Sequence, residues 1–192
     1  MIVLASRSAS RAAMLAAAGV TFEARPAPID ERALEAAMDG AAPGQVALAL
    51  AEAKALAAGD LSVPVLGSDS LVVVDGARFD KPADQDRAAE HLRAFSGRTM
   101  ELHSAAAIAR GGTIAWRHAA VARLQVRRLS QRFIESYLDA EWPAVSHCVG
   151  AFRIEGPGVQ LFEAIEGDHF TVLGMPLLPV LGALRDMDVL PA

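Results

Sequence analysis

At 192 residues the chain suits one medium domain, or two small lobes on a shared core, and requires no independent second domain. Its 53% hydrophobic and 21% charged content is that of a folded globular protein. A formal net charge of −5 argues against a general nucleic-acid binder, which presents a basic face, but leaves room for one polyanionic ligand held by cations focused in a crevice.

Residues 2–5, Ile-Val-Leu-Ala, read as a short buried strand, and Ser6-Arg7-Ser8 leads into an alanine-rich helix over 11–18 stopped by Gly19. Residues 1–7 lack a basic region ahead of an apolar core. No apolar run reaches about 18 residues without a charge or breaker, so a soluble cytoplasmic protein with no membrane partner is expected. A second strand over 21–25 is broken by Pro26 and Pro28, and Asp30-Glu31 opens a helix towards Met38. Gly40 and Pro43 punctuate before a helix over 45–58 that carries Lys54. Strands over 61–66 and 71–74 follow, separated by Gly67-Ser68-Asp69-Ser70, and Asp75-Gly76 is a hairpin signal.

Asp84 caps a helix through Phe95, with Ala88, Leu92 and Phe95 on one face and Gly97 as the stop. Strands over 101–109 and 113–126 flank Gly111-Gly112 as a long hairpin. Ser130 starts a helix ending near Leu138, which Trp142-Pro143 breaks, and glycines 150, 156, 158 and 167 punctuate short strands towards 170–173. Pro176 opens the last helix, through about Met187. Helices alternating with strands, together with hairpins, predict an α/β fold on a mixed sheet.

The most informative stretch is Gly67-Ser68-Asp69-Ser70. A carboxylate delivered there by a buried strand sits where open α/β sheets hold ligands, which makes Asp69 the first candidate for chemistry. The segment 6–11, Ser-Arg-Ser-Ala-Ser-Arg, places hydroxyls, guanidinium groups and unsatisfied N–H donors at a helix start, a ready anion site, although serines there also serve as simple caps. Pro82 fixes the backbone beside Lys81. The five histidines show no paired spacing on one helix face, so a histidine zinc centre is not expected. Asp30, Glu31 and Asp69 are instead hard oxygen donors suited to Mg²⁺ or Mn²⁺. Neither a P-loop nor a dinucleotide glycine fingerprint is present. The single cysteine, Cys148, excludes an internal disulfide framework and reads as a small apolar side chain.

Taken in order, the segments 4–11, Ile29-Asp30-Glu31, Ala53-Lys54-Ala55, Gly67-Ser68-Asp69, Asp75-Gly76, Asp80-Lys81-Pro82, 95–98 and Leu173-Gly174-Met175-Pro176-Leu177 resemble the Maf family of nucleoside triphosphate pyrophosphatases. Residues 147–156 are more similar to its YceF branch, associated with 7-methyl-GTP, than to the branch acting on dTTP and UTP. The chain departs from the family pattern where proline and then arginine or tryptophan are usual, having Ala9 and Ser10, and at Ala12 and Met100, where a second arginine and a histidine are usual.

The resemblance implies a single domain over 1–192 with an elongated, two-lobed, inosine-triphosphatase-like fold and the substrate in the cleft between lobes. It implies hydrolysis of a nucleoside triphosphate to the monophosphate and pyrophosphate, with Mg²⁺ or Mn²⁺ as cofactor. Asp69 is implied as proton acceptor and, with Glu31, as metal ligand. Ser8, Arg11, Lys54 and Lys81 are implied for the phosphates, and Ser10, Ser70 and Glu155 for specificity. A guanine-type substrate is expected. The alternatives are a dTTP/UTP pyrophosphatase, or a nucleotide-binding regulator of cell division with vestigial catalysis. A homodimer is left open.

Overall fold

The computed structural model describes residues 1–58 and 62–191. Leu61, where the sequence reading starts a strand, lies outside them. The chain is mixed α/β, with seven strands in one sheet ordered β2-β1-β3-β5-β6-β7 and β4 paired to β3 off this path. In chain order the elements are β1 (Ile2–Leu4), α1 (Ala9–Ala17), β2 (Phe22–Ala24), α2 (Glu31–Ala37), α3 (Pro43–Ala57), β3 (Val65–Val74) and β4 (Ala77–Phe79). There follow α4 (Gln85–Phe95), β5 (Thr99–Arg110), β6 (Thr113–Val126), α5 (Gln131–Glu141), β7 (Phe162–Glu166), α6 (His169–Val172) and α7 (Leu177–Asp186). β1 runs parallel to both β2 and β3, pairing Val3 with Glu23 and with Val65. β3–β4 and β6–β7 are antiparallel. No helix among the described residues is long and apolar enough to cross a membrane.

Two compact units can be distinguished, the division falling within β3, β5 and β6. The first takes Met1–Ser70, His103–Val121 and Asp168–Ala192. Its core joins Ile2 and Leu4 of β1, Met14 and Leu15 of α1, Leu66 of β3, Ile108 of β5 and Leu177, Val180 and Leu184 of α7. The second takes Leu71–Leu102 and Ala122–Gly167. Its apolar centre gathers Leu92, Phe95, Met100, Val126, Phe152, Leu161 and Phe162, and no candidate residue lines it.

Three sequence expectations are corrected. The two strands expected over 61–66 and 71–74 are one, β3, starting after Pro64 and continuous through Gly67-Ser68-Asp69-Ser70. Glycine, serine and aspartate are poor strand formers, but tertiary partners override that preference. Ser68 donates to the carbonyl of Ala105 at 2.8 Å, and Asp69 accepts from Lys54. Pro43, expected as a breaker, is the first residue of α3, where a missing N–H is harmless. The strand expected near 170–173 is the short helix α6, because Asp168 caps it by accepting from the Thr171 N–H at 2.9 Å.

Gly67 decides how α3 meets the sheet. A Cβ there would strike the carbonyl oxygen of Ala51 and stand 2.6 Å from the backbone nitrogen of Ala55, so α3 lies directly on the strand backbone. Gly67→Ala should therefore force α3 off β3 and lower the unfolding free energy by about 1–3 kcal/mol, the usual scale of overpacking. Denaturant titration checks this, and an unchanged midpoint would contradict the close approach.

Candidate functional site

Successive side chains of a strand point to opposite faces, so β3 sorts its polar run into two sets. Gly67 and Asp69 face α3, while Ser68 and Ser70 face Arg11 and Gly174. The close seating of α3 on Gly67 carries Lys54 to Asp69. The Lys54 ammonium lies 2.5 Å from Oδ1 of Asp69 and 2.9 Å from Oε1 of Glu31. Lys54 and Asp69 are buried and Glu31 is half exposed. Glu31 reaches this point as the first residue of α2, whose start is fixed by Asp30 accepting from the Ala33 N–H at 3.0 Å.

Serines organise the start of α1. Ser8 is its cap, accepting from the Arg11 N–H at 3.4 Å, and Ser6 Oγ accepts from the Ser8 N–H at 3.1 Å. Ser10 lies half-buried in the first turn. Arg11 is buried, and its guanidinium donates through Nε to the carbonyl of Gly174 at 3.0 Å, and through Nη1 and Nη2 to Ser6 and Ser70, each at 3.3 Å. Burial is the main influence on this guanidinium and lowers its pKa, while the nearby carboxylates Asp69 and Glu31 raise it. Arginine remains charged under such opposed influences. Ser8, Arg11, Glu31, Lys54, Asp69 and Ser70 thus belong to one unit, and Lys54 and Arg11 answer to the same two carboxylates.

Lys81 and Glu155 belong to the second unit. Lys81 is exposed and follows β4, whose terminal Phe79 packs edge-on against Phe95 at 4.7 Å and His91 at 5.2 Å. Pro82, next to Lys81, is buried, which anchors the backbone at the lysine. Glu155 has a half-exposed side chain whose Oε1 lies 3.9 Å from Nε of Arg153. Burial pushes the Cys148 thiol up. Glu155 adds to that rise and Arg153 and Lys81 oppose it, so these charges act on one neighbourhood.

Two hard carboxylates converging on one cationic point fit a divalent ion that takes one or two protein oxygens and completes its shell with phosphates and water. Among the described residues no group of three or more His, Cys, Asp or Glu side chains gathers as a cage. The sequence reading names Gly174 only within the segment 173–177 and gives it no role of its own. A glycine two residues before a proline signals a turn, and its φ of 98° bears that out, but nothing local reveals that its carbonyl receives Arg11.

The sequence profile described as Maf-like protein matches residues 1–187. A 7-methyl-GTP pyrophosphatase of Rhizobium meliloti is 46% identical over 196 residues, spanning 100% of this chain and 98% of its own. Another protein of that name, from Mesorhizobium japonicum, is 47% identical across 98% of this chain and 97% of its own. A nucleoside triphosphate pyrophosphatase of Rhodopseudomonas palustris is 46% identical across 98% of this chain and 95% of its own.

Arg11 is a brace as well as a charge. An ammonium cannot span its three acceptors in one plane, so Arg11→Lys should lower unfolding stability by about 1–3 kcal/mol although the charge is retained. Equal stability of mutant and parent in denaturant would contradict the brace.

Proposed function

The chain belongs to the Maf-like family, and from that premise we propose that it is a nucleoside triphosphate pyrophosphatase, hydrolysing the bond between the α and β phosphates. The observation that supports this most is the buried Asp69 carboxylate joined through Lys54 to Glu31. The ammonium fixes the carboxylate where it can accept a proton from water, and its charge faces a polyanion.

Water oxygen forms a bond to the α phosphorus, the bond from that phosphorus to the bridging oxygen breaks, and pyrophosphate leaves with the electron pair. Asp69 receives the proton of the attacking water. Lys54 holds the Asp69 carboxylate in place and, with Arg11, faces the substrate's negative charge with fixed positive charge, which lowers the barrier to phosphoryl transfer. Ser8 sets the start of α1, where first-turn N–H groups are donors for phosphate oxygens. Glu31 and Asp69 would hold Mg²⁺ or Mn²⁺, which when bound neutralises phosphate charge and acidifies water. Lys81 takes a further phosphate contact.

The base preference is read from Glu155, with Ser10 and Ser70 shaping the remaining contacts. An ionised carboxylate is acceptor-only and takes two parallel donors, which guanine presents in its ring N–H and exocyclic amine. Methylation at N7 adds positive charge that a carboxylate favours further. A guanine-type triphosphate, 7-methyl-GTP among them, follows as the preferred substrate. The names borne by the Rhizobium and Mesorhizobium relatives support this reading.

Asp69→Asn should lower turnover by roughly two to four orders of magnitude, the scale of losing a positioned general base, without unfolding the protein. Product analysis with Mg²⁺ or Mn²⁺ should find monophosphate and pyrophosphate. Diphosphate and orthophosphate as products, or an Asp69→Asn enzyme within about threefold of the parent, would overturn the assignment.

A further inference from the structure

Glu141, the last residue of α5, is a buried carboxylate with 8% exposure, and its Oε2 lies 3.4 Å from Nη1 of Arg153. An ionised carboxylate so far from water needs a cation, so the guanidinium is committed to it. The segment carrying Arg153 is fixed at several points. Tyr137, one turn earlier on α5, donates its hydroxyl to the carbonyl of Ala151 at 3.3 Å. A Cβ at Gly158 would strike the Arg153 carbonyl oxygen and stand 2.8 Å from its nitrogen, so that backbone is packed tightly. At Gly156 the chain passes Glu141 so closely that a Cβ would touch both carboxylate oxygens, at 3.6 and 3.7 Å.

Glu155 receives what Glu141 leaves. Its Oε1 is 3.9 Å from Nε of Arg153, outside hydrogen-bond range, and its side chain is 48% exposed. We infer that Glu141, by holding Arg153, keeps the Glu155 carboxylate open as the acceptor for the substrate's base, so that Glu141 and Arg153 are positioning residues for specificity. This rests on the reading of Glu155 as the base-facing group. Without the negative charge at 141, Arg153 closes onto Glu155, and a fork-like arginine–carboxylate pair occupies the oxygens that guanine's two donors require.

The test is kcat/KM for GTP, 7-methyl-GTP, dTTP and UTP in the parent, Glu141→Gln, Glu155→Gln and the double mutant. Glu141→Gln is expected to lower the guanine-to-pyrimidine ratio about tenfold, the double mutant no further than Glu155→Gln alone. A general loosening of structure would lower all four substrates together and leave the ratio in place. Arg153→Gln removes the competitor and should raise the ratio, the opposite sign; should Glu141→Gln not fold, a ratio that Arg153→Gln leaves unchanged or lowers overturns the inference. A ratio moved by Glu155→Gln but not by Glu141→Gln, or additive effects of the two, overturns the inference and leaves the reading of Glu155 standing. A ratio unmoved by Glu155→Gln overturns both.

Discussion

A lysine ammonium held between two carboxylates is the interaction on which the rest of the first unit depends. Lys54 is buried, and taking a cation and a carboxylate out of water carries a desolvation penalty that close contact only partly offsets. Such a group is weakly justified by stability alone. Its surroundings are built to keep it: Gly67 lets α3 lie on β3, the Asp30 cap starts α2 so that Glu31 arrives beside the ammonium, and Ser68 ties β3 to Ala105. The arrangement fixes a carboxylate and a cation together in advance, which is what the proposed function requires if little reorganisation is to accompany binding of a polyanion.

Arg11 solves a neighbouring problem by different means. It answers to the same carboxylates, yet its hydrogen bonds go to a carbonyl and two hydroxyls, which fix its position without neutralising it. A guanidinium fork can serve three acceptors in one plane, and here it joins α1, β3 and the turn at Gly174. The second unit repeats the theme with sign reversed. There a buried acid, Glu141, commits a cation, and an exposed acid, Glu155, stays beyond hydrogen-bond reach of it.

How much of this could be read from the sequence follows the range of each interaction. The caps Ser8, Asp30, Asp84 and Ser130 each accept from an N–H three residues on, so their helices were legible as local signals. Asp168 makes the same bond to Thr171, but Phe170, Thr171 and Val172 favour strands and the cap was outweighed. β3 was read as two strands because Gly67, Ser68 and Asp69 owe their conformation to Ala51, Ala105 and Lys54, partners that no local pattern names. Nothing local sets Lys54 apart from a solvated charge on an alanine-rich helix, and its contact with Asp69 is visible only in the folded chain. Glu141 was not legible at all, since an acid at a helix end is ordinarily exposed.

The central claim is that Lys54 and Asp69 form one unit, and a double-mutant cycle on unfolding free energy, with Lys54→Met, Asp69→Asn and the pair together, tests it most directly. Each single mutant leaves a buried group without its partner, so the double mutant should be less destabilised than the sum by about 1–3 kcal/mol. Effects that add to within about 0.5 kcal/mol would contradict the account.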